Sequence, residues 1–307
     1  MADIPPPPTG PVPRPPVRAV HIPVLLKETL AALELRPGMT VVDGTVGAGG
    51  HSKKILEAIR PGGRLIGLDR DPMMLRLAAE NLGDSPDVVL KQSSYAELDA
   101  VLDELALPAV DRVLVDLGLS SDQLADRERG FGFKAGGPLD LRFDIRHGRP
   151  ASELLRTADV QQLTDIFRDF GEDPNAHRIA HAIVQHRSSA AINTAEELAR
   201  LVEQASPGRR GDTHPATRVF QALRIAVNEE LEQLKRLLGD VGPRRIQSGG
   251  RLVVISFHSL EDRYVKDAFR ETERWEPLTK KPVTATPTEE RLNPRSRSAK
   301  LRAAARR

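Results

Sequence analysis

A short apolar strand running straight into a cluster of glycines limits the possible folds of this chain more than any other feature. In M-T-V-V-D-G-T-V-G-A-G-G-H, Met39 to His51, the pair Val41-Val42 follows a Pro37-Gly38 break and reads as a buried strand. The strand ends on Asp43, then come Gly44, Gly47, Gly49 and Gly50, and Ser52 to Leu56 begin a helix. Strand, glycine turn and helix make the first crossover of a nucleotide-binding α/β sheet. The glycines allow close approach of backbone and ligand, and the helix start presents unpaired N–H groups. A glycine run alone is equally an ordinary tight turn. Context comes from a second strand, Arg64 to Leu68, which ends on Asp69, where an acidic tip commonly receives ribose hydroxyls. A G-x-G-x-x-G frame begun at Gly47 puts Ser52 in place of its last glycine, so a nicotinamide dinucleotide fits imperfectly. S-adenosylmethionine, with an amino-acid end and no pyrophosphate, suits the turn better.

The pattern continues along the chain. Lys27 to Leu35 reads as a helix, Asp71-Pro72 caps another to Leu82, and Val88 to Lys91 is a third strand. Arg112 to Asp116 is a fourth strand, again ending on a carboxylate. Alternating strands and helices predict a parallel, doubly wound sheet with ligands at the strand C-termini, where Asp43, Asp69 and Asp116 all fall. From Ser120 to Gly148 the alternation stops in favour of glycine-rich, charged loops. Helices follow: one capped by Asp159, one over Pro174 to Gln185, and one begun by the Thr194-Ala195-Glu196-Glu197 capping box. Thr217 to Leu238 reads as one long helix back to the sheet, Arg251 to Phe257 as strand five, and Trp275 to Thr288 as an irregular hairpin. The expected division is a disordered proline-rich arm at 1–18, a doubly wound sheet unit at 19–138 and 212–307, and a helical insertion at 139–211.

The chain has 307 residues, 39% of them hydrophobic and 29% charged, which suits a soluble globular protein of one large or two modest domains. It contains no cysteine, which excludes disulfides, thiolate metal sites and thiol catalysis. No apolar run is long enough to cross a bilayer and the N-terminal stretch has no signal-like apolar core, so a cytoplasmic location is expected. Net charge is only +2, but Arg291 to Arg307 carries seven Lys or Arg and no acid, which suits a polyanion partner or a solvated tail.

Three local patterns are weighed. His177 and His181 have zinc spacing, but no H-E-x-x-H is present, so a surface or interface pair is expected and no metal. Gly118-Leu119-Ser120 is not a G-x-S-x-G elbow. His214-Pro215-Ala216-Thr217-Arg218 is either a helix cap or a polar cluster with a role in binding.

Taken together, the motifs resemble the RsmH, or MraW, methyltransferase family. They are D-G-T-V-G-A-G-G-H-S, L-D-R-D-P, D-L-G-L-S-S-D-Q-L, R-G-F-G-F, G-P-L-D-L-R, H-P-A-T-R-V-F-Q-A-L-R-I, V-N-E-E-L, I-S-F-H-S-L-E-D-R and N-P-R-S-R-S-A-K-L-R. The resemblance covers about His21 to Arg307. It implies a class I, Rossmann-like α/β methyltransferase sheet with an inserted all-helical domain. It further implies S-adenosyl-L-methionine as cofactor and transfer of its methyl group to the exocyclic N4 of a cytidine in small-subunit (16S) ribosomal RNA. Carried over residue by residue, cofactor contacts fall on Gly49, Gly50, His51, Asp69, Tyr95, Asp116 and Gln123, with Tyr95 stacking on or flanking the adenine. Ala303-Ala304-Ala305 is weak for the final strand that the family would place there.

A cytosine amino group is a poor nucleophile, so the site needs a carboxylate to accept an N–H and take the proton. Asp116, which stands where DNA amino-methyltransferases carry the acid of D-P-P-Y, is the first candidate, and Asp140 of G-P-L-D-L-R the second. Expected RNA contacts are His214, Thr217, Arg218, His258 and Ser259 around the base, and Arg295 and Arg297 in the tail. The partner is ribosomal RNA or the assembled small subunit. Oligomeric state is open, a homodimer included. Two alternatives stand beside this reading, a nicotinamide-dependent oxidoreductase and a non-catalytic RNA-binding protein.

Overall fold

The computed structural model describes residues 23–132, 137–206 and 214–307; the 1–18 arm lies outside the described residues. The chain begins with α1 (Leu26–Leu33), which ends where Glu34 takes a left-handed φ of 49°. Then follow β1 (Thr40–Asp43), α2 (Gly50–Ile59), β2 (Arg64–Asp69), α3 (Pro72–Leu82), β3 (Val88–Gln92), a 3-10 turn at Tyr95–Glu97, α4 (Leu98–Glu104), β4 (Val110–Asp116) and α5 (Ser121–Ala125). Asp71 caps α3 by accepting the Met73 N–H, with Pro72 in the first turn where its missing donor is harmless, a cap worth about 1 kcal/mol. The helical stretch holds α6 (Ala151–Thr157), α7 (Val160–Asp169), α8 (Ala176–Arg187), α9 (Ala195–Ala205) and α10 (Ala216–Asn228). The chain then runs through α11 (Glu230–Arg236), a π-turn (Leu237–Val241), α12 (Gly242–Arg245), β5 (Ile246–Ser256), α13 (Ser259–Ala268), β6 (Trp275–Pro277), β7 (Val283–Thr284), α14 (Pro287–Leu292), a 3-10 turn (Pro294–Ser298) and β8 (Lys300–Arg306).

One eight-stranded sheet has the order β3-β2-β1-β4-β5-β8-β6, with β7 also on β8. The first five strands are parallel and β8 is antiparallel. This is the class I methyltransferase sheet, and its order reverses between β1 and β4, the point at which doubly wound sheets bind ligands. Alternation along each strand feeds two cores. Val42, Val113, Val115 and Val254 pack on one face, and Val41, Leu114, Val253 and Ile255 on the other. A separate core joins Phe131, Leu139 and Leu141 to α6–α10, including Phe167, Ile183, Leu198 and Leu223.

Three expectations need correction. The long helix from Thr217 to Leu238 breaks at Glu229, whose φ is 53°. The break lets buried Asn228 clasp the chain at 141–143: its Nδ2 donates to the Leu141 and Arg224 carbonyls and its Oδ1 accepts the Phe143 N–H. The Trp275–Thr288 hairpin does not form, because β6 and β7 each pair with β8 instead of with each other. The alanine-rich final strand does form. Pairing on both edges holds it, and Ala303 and Ala304 are buried in opposite cores. No helix among the described residues is long and apolar enough to cross a membrane.

Candidate functional site

The glycine turn is stitched to both neighbouring strands. On the β4 side, Gly44 N–H donates to the Leu114 carbonyl and Asp116 N–H to the Thr45 hydroxyl, at 2.8 and 2.7 Å. On the β2 side, Val46 N–H donates to the Leu68 carbonyl and Gly47 N–H to Asp69 Oδ2, at 2.8 and 3.0 Å. Gly49 has a φ of 87°, which bars a side chain, and a Cβ on Gly50 would meet Pro23 at 2.7 Å. The turn is therefore a fixed cradle between the tips of β1, β2 and β4.

Three carboxylates line these tips. Asp43 accepts the Ser52 hydroxyl at 2.7 Å and the Thr45 N–H, and burial pushes its carboxyl up to about 6. Asp69 also accepts the Asp71 N–H at 2.9 Å, and burial pushes it up to about 7. Asp116 is pushed furthest, to about 8, by burial first and then by the charge of Asp43. Its Oδ1 is buried with no hydrogen-bond partner, while Oδ2 lies 3.6 Å from His51 Nδ1. The other ring nitrogen of His51, Nε2, lies 3.0 Å from the Val24 carbonyl and must be the donor there.

Asp116 neighbours the turn after β5, since it registers with Ile255 and Leu117 N–H donates to the Ile255 carbonyl. His258 caps α13, and its Nε2 stands 2.9 Å from Glu261 Oε1, an ion-pair contact without hydrogen-bond alignment. Glu261 is 2% exposed; burial opposes its charge, but His258, Arg224 and the Phe257 N–H hold it below the usual carboxylate range. Arg224 and Glu230 form a bidentate pair beside it at 2.7 and 2.9 Å. Glu172, between α7 and α8, reaches the same turn. It accepts the Ser259 hydroxyl and Arg263 Nη2, and its carbonyl accepts Arg218 Nη1 at 2.9 Å. Glu172 thus brings Arg218 and Ser259 together, with His258 near enough to stabilise its charge. His214 Nδ1 accepts the Ala216 N–H at the start of α10, and Thr217 is exposed.

Other expected site residues are placed differently. Asp140 is gripped by Arg142 of its own motif at 2.8 and 2.7 Å, whereas Asp116 keeps one carboxylate oxygen, Oδ1, without a hydrogen-bond partner. Tyr95 is only 8% exposed and packs in the sheet core against Gly44, so it stands behind the cradle instead of offering an open stacking face. Burial pushes its hydroxyl well above the usual phenol range, and Glu230 and Glu261 add to this. Gln123 is 4% exposed, with its amide engaged by the Ser120 N–H and by Asp71 Oδ2. Arg129 joins the same Asp71 oxygen at 2.6 Å. Arg295 is half-buried and Nη1 donates to the Ser121 hydroxyl, whereas Arg297 is exposed.

Sequence reasoning did not single out Ser52, Glu172, Arg224 or Glu230. Ser52 was findable, nine residues after Asp43 and inside the same motif. Glu172 carries no local signal, since Ser259 lies 87 residues away. Among the described residues no group of His, Asp and Glu could hold a metal ion. A cavity of about 580 Å³ lined by Leu155, Arg187 and Ile192 lies in the helical core and shares no residue with this site.

Residues 18–307 match the MraW methylase family model. A ribosomal RNA small subunit methyltransferase H from Sorangium cellulosum is 49% identical over 305 residues, covering 99% of this chain and 94% of that protein. Proteins of the same description from Nitratidesulfovibrio vulgaris and Acidobacterium capsulatum are 48% and 44% identical, each over 94% of this chain and over 86% and 98% of their own lengths.

Proposed function

The chain belongs to the MraW methylase family, and on that premise we infer that it transfers the methyl group of S-adenosylmethionine to the exocyclic N4 of a cytidine in small-subunit ribosomal RNA. The cradle fits this cofactor. Asp43, Asp69 and Asp116 surround the turn with carboxylates, which suits a ligand bearing sulfonium and ammonium charges and opposes the pyrophosphate of a dinucleotide. Gly49, Gly50, His51 and Asp69 would hold it from the β1–β2 side and Asp116 from the β4 side. Tyr95 and Gln123 would act by shaping the wall. When bound, S-adenosylmethionine supplies a methyl group already activated on sulfur.

The chain's own residues must then make the cytosine amino group nucleophilic and exclude water. Its lone pair is delocalised into the ring. A carboxylate that accepts one N–H localises the pair and takes the proton as the N–C bond forms. The observation that carries this role for Asp116 is its buried, unpartnered Oδ1 at the sheet's switch point. Base and backbone would enter past His258, Ser259 and Arg218, where the helical core meets the sheet at Glu172. Unstacking the base costs a few kcal/mol, least for a nucleotide already outside a helix. This substrate places the protein in the cytoplasm.

The test is nucleoside mass spectrometry of small ribosomal subunits that lack the modification, after incubation with the protein and S-adenosylmethionine. N4-methylcytidine at one position is the expected product. Methylation at carbon 5 or on ribose, or none, overturns the assignment.

A further inference from the structure

The seven basic residues between Arg291 and Arg307 look in the sequence like one RNA-binding tail, but the structure sorts them. Arg302 and Lys300 pair with Asp262, and Arg306 donates to the Pro243 carbonyl. These three hold β8 in place. Arg297 is exposed. Arg295 differs from all of them. It is half-buried in the turn before β8, and its guanidinium Nη1 donates to the hydroxyl of Ser121 at 2.7 Å. Ser121 opens α5, five residues beyond Asp116. The turn leads into Lys300 and Leu301, which register with Ser256 and Ile255 of β5, and Ile255 registers with Asp116 of β4. Arg295 is therefore fastened over the end of β4 that carries the catalytic carboxylate.

We propose that Arg295 is a positioning residue of the methyl-transfer site, the counter-charge of Asp116, and not a contact to RNA phosphate. The inference rests on the reading of Asp116 as proton acceptor. Charged and titratable groups face Asp116 from each element around it: His51 from α2, Asp43 from β1, Glu261 from α13 and Arg295 from the turn before β8. Burial, Asp43 and Glu261 all disfavour the carboxylate, and Arg295 favours it. The guanidinium responds in kind: burial weakens its hold on the proton, and Asp116 and Asp122 strengthen it. An acceptor must be ionised before it can take a proton, so removing Arg295 makes Asp116 a base only at higher pH. A phosphate contact has the opposite signature, a loss of salt-dependent RNA affinity with no change at Asp116.

The direct test is carboxyl-carbon NMR of the folded protein without cofactor, with Asp116 assigned through Asp116→Asn. In Arg295→Gln the Asp116 titration should move to higher pH by about half a unit or more, and Arg295→Lys should keep it near the wild-type value. Ser121→Ala, which removes one hydrogen bond from the guanidinium without removing its charge, should give a smaller shift in the same direction and serves if Arg295→Gln fails to fold. The salt slope of RNA binding should stay unchanged in Arg295→Gln and fall by about one in Arg297→Gln. An unmoved Asp116 titration in Arg295→Gln, or in Ser121→Ala where that variant stands in for it, overturns the proposal. A loss of about one unit of salt slope in Arg295→Gln makes it a phosphate contact instead and likewise overturns it. Absence of methyl transfer by the wild-type protein would sink the functional reading while leaving the titration result standing.

Discussion

His51 Nδ1 faces Asp116 Oδ2 at 3.6 Å across the start of the glycine cradle. Because Nε2 donates to the Val24 carbonyl, the neutral ring turns the Nδ1 lone pair toward the carboxylate. Two acceptors facing each other are complementary only with a proton between them. Under the proposed role of Asp116, a proton taken from the base would have a second seat within reach at His51 Nδ1.

Removing the charge of Asp116 should stabilise the cofactor-free protein in one pH range only. Burial raises its carboxyl to about 8 in the folded chain, against about 3.9 unfolded. A raised value means that the stability this group contributes is complete below about pH 4 and is lost as pH rises through about 8. Asp116→Asn should therefore melt higher than wild type at pH 9 and at nearly the same temperature at pH 4. An equal difference at both pH values in thermal unfolding would contradict the burial argument.

Asp69→Ala should weaken the cofactor site far more than the fold. Its carboxylate fixes the Gly47 N–H of the turn and the Asp71 N–H before α3. Loss of a hydrogen bond to a charged group is worth about 1.5–3 kcal/mol, roughly ten- to a hundredfold in affinity. Calorimetric titration with S-adenosylhomocysteine measures it, and unchanged affinity rejects the role.

Glu172→Ala should separate substrate handling from cofactor binding. The side chain links the α7–α8 connection to Ser259 and Arg263 of α13. We expect kcat/KM on ribosomal subunits to fall about tenfold, or about 1.4 kcal/mol, with S-adenosylhomocysteine affinity unchanged. Equal losses in both would place Glu172 in the cofactor site instead.

Arg302→Ala should destabilise the fold by about 1.5–3 kcal/mol, since it removes the short hydrogen-bonded pair and leaves the nearly buried Asp262 with only the longer contact to Lys300. Denaturant unfolding with an unchanged midpoint would show that β8 is held by its backbone alone.

Much of this site was legible because its parts are local in sequence. The V-V-D-G and L-D-R-D patterns place Asp43 and Asp69 at strand tips, and R-V-L-V-D does the same for Asp116. Capping at Asp71, Asp159 and Thr194 could be read in the same way. The helix break at Glu229 could not, because Val227 to Leu231 contains no glycine or proline and the break answers to Asn228 holding a loop 87 residues away. Nor could the division of labour in the basic tail, where the cations that are fixed have partners outside the tail, Asp262 for Arg302 and Ser121 for Arg295, while Arg297 is exposed. The pairing of Asp140 was not evident from its acidic, polar motif either, although its partner, Arg142, stands two residues on.

The central claim, that Asp116 accepts the proton from the cytosine amino group, is tested most directly by single-turnover methyl transfer from labelled cofactor to unmodified small subunits at saturating cofactor. Asp116→Asn keeps the size of the side chain and removes the acceptor charge. Loss of a positioned general base is worth about a hundred- to ten-thousandfold, and the account predicts a fall in that range, with S-adenosylhomocysteine affinity reduced by less. A single-turnover rate within about twofold of wild type would contradict it.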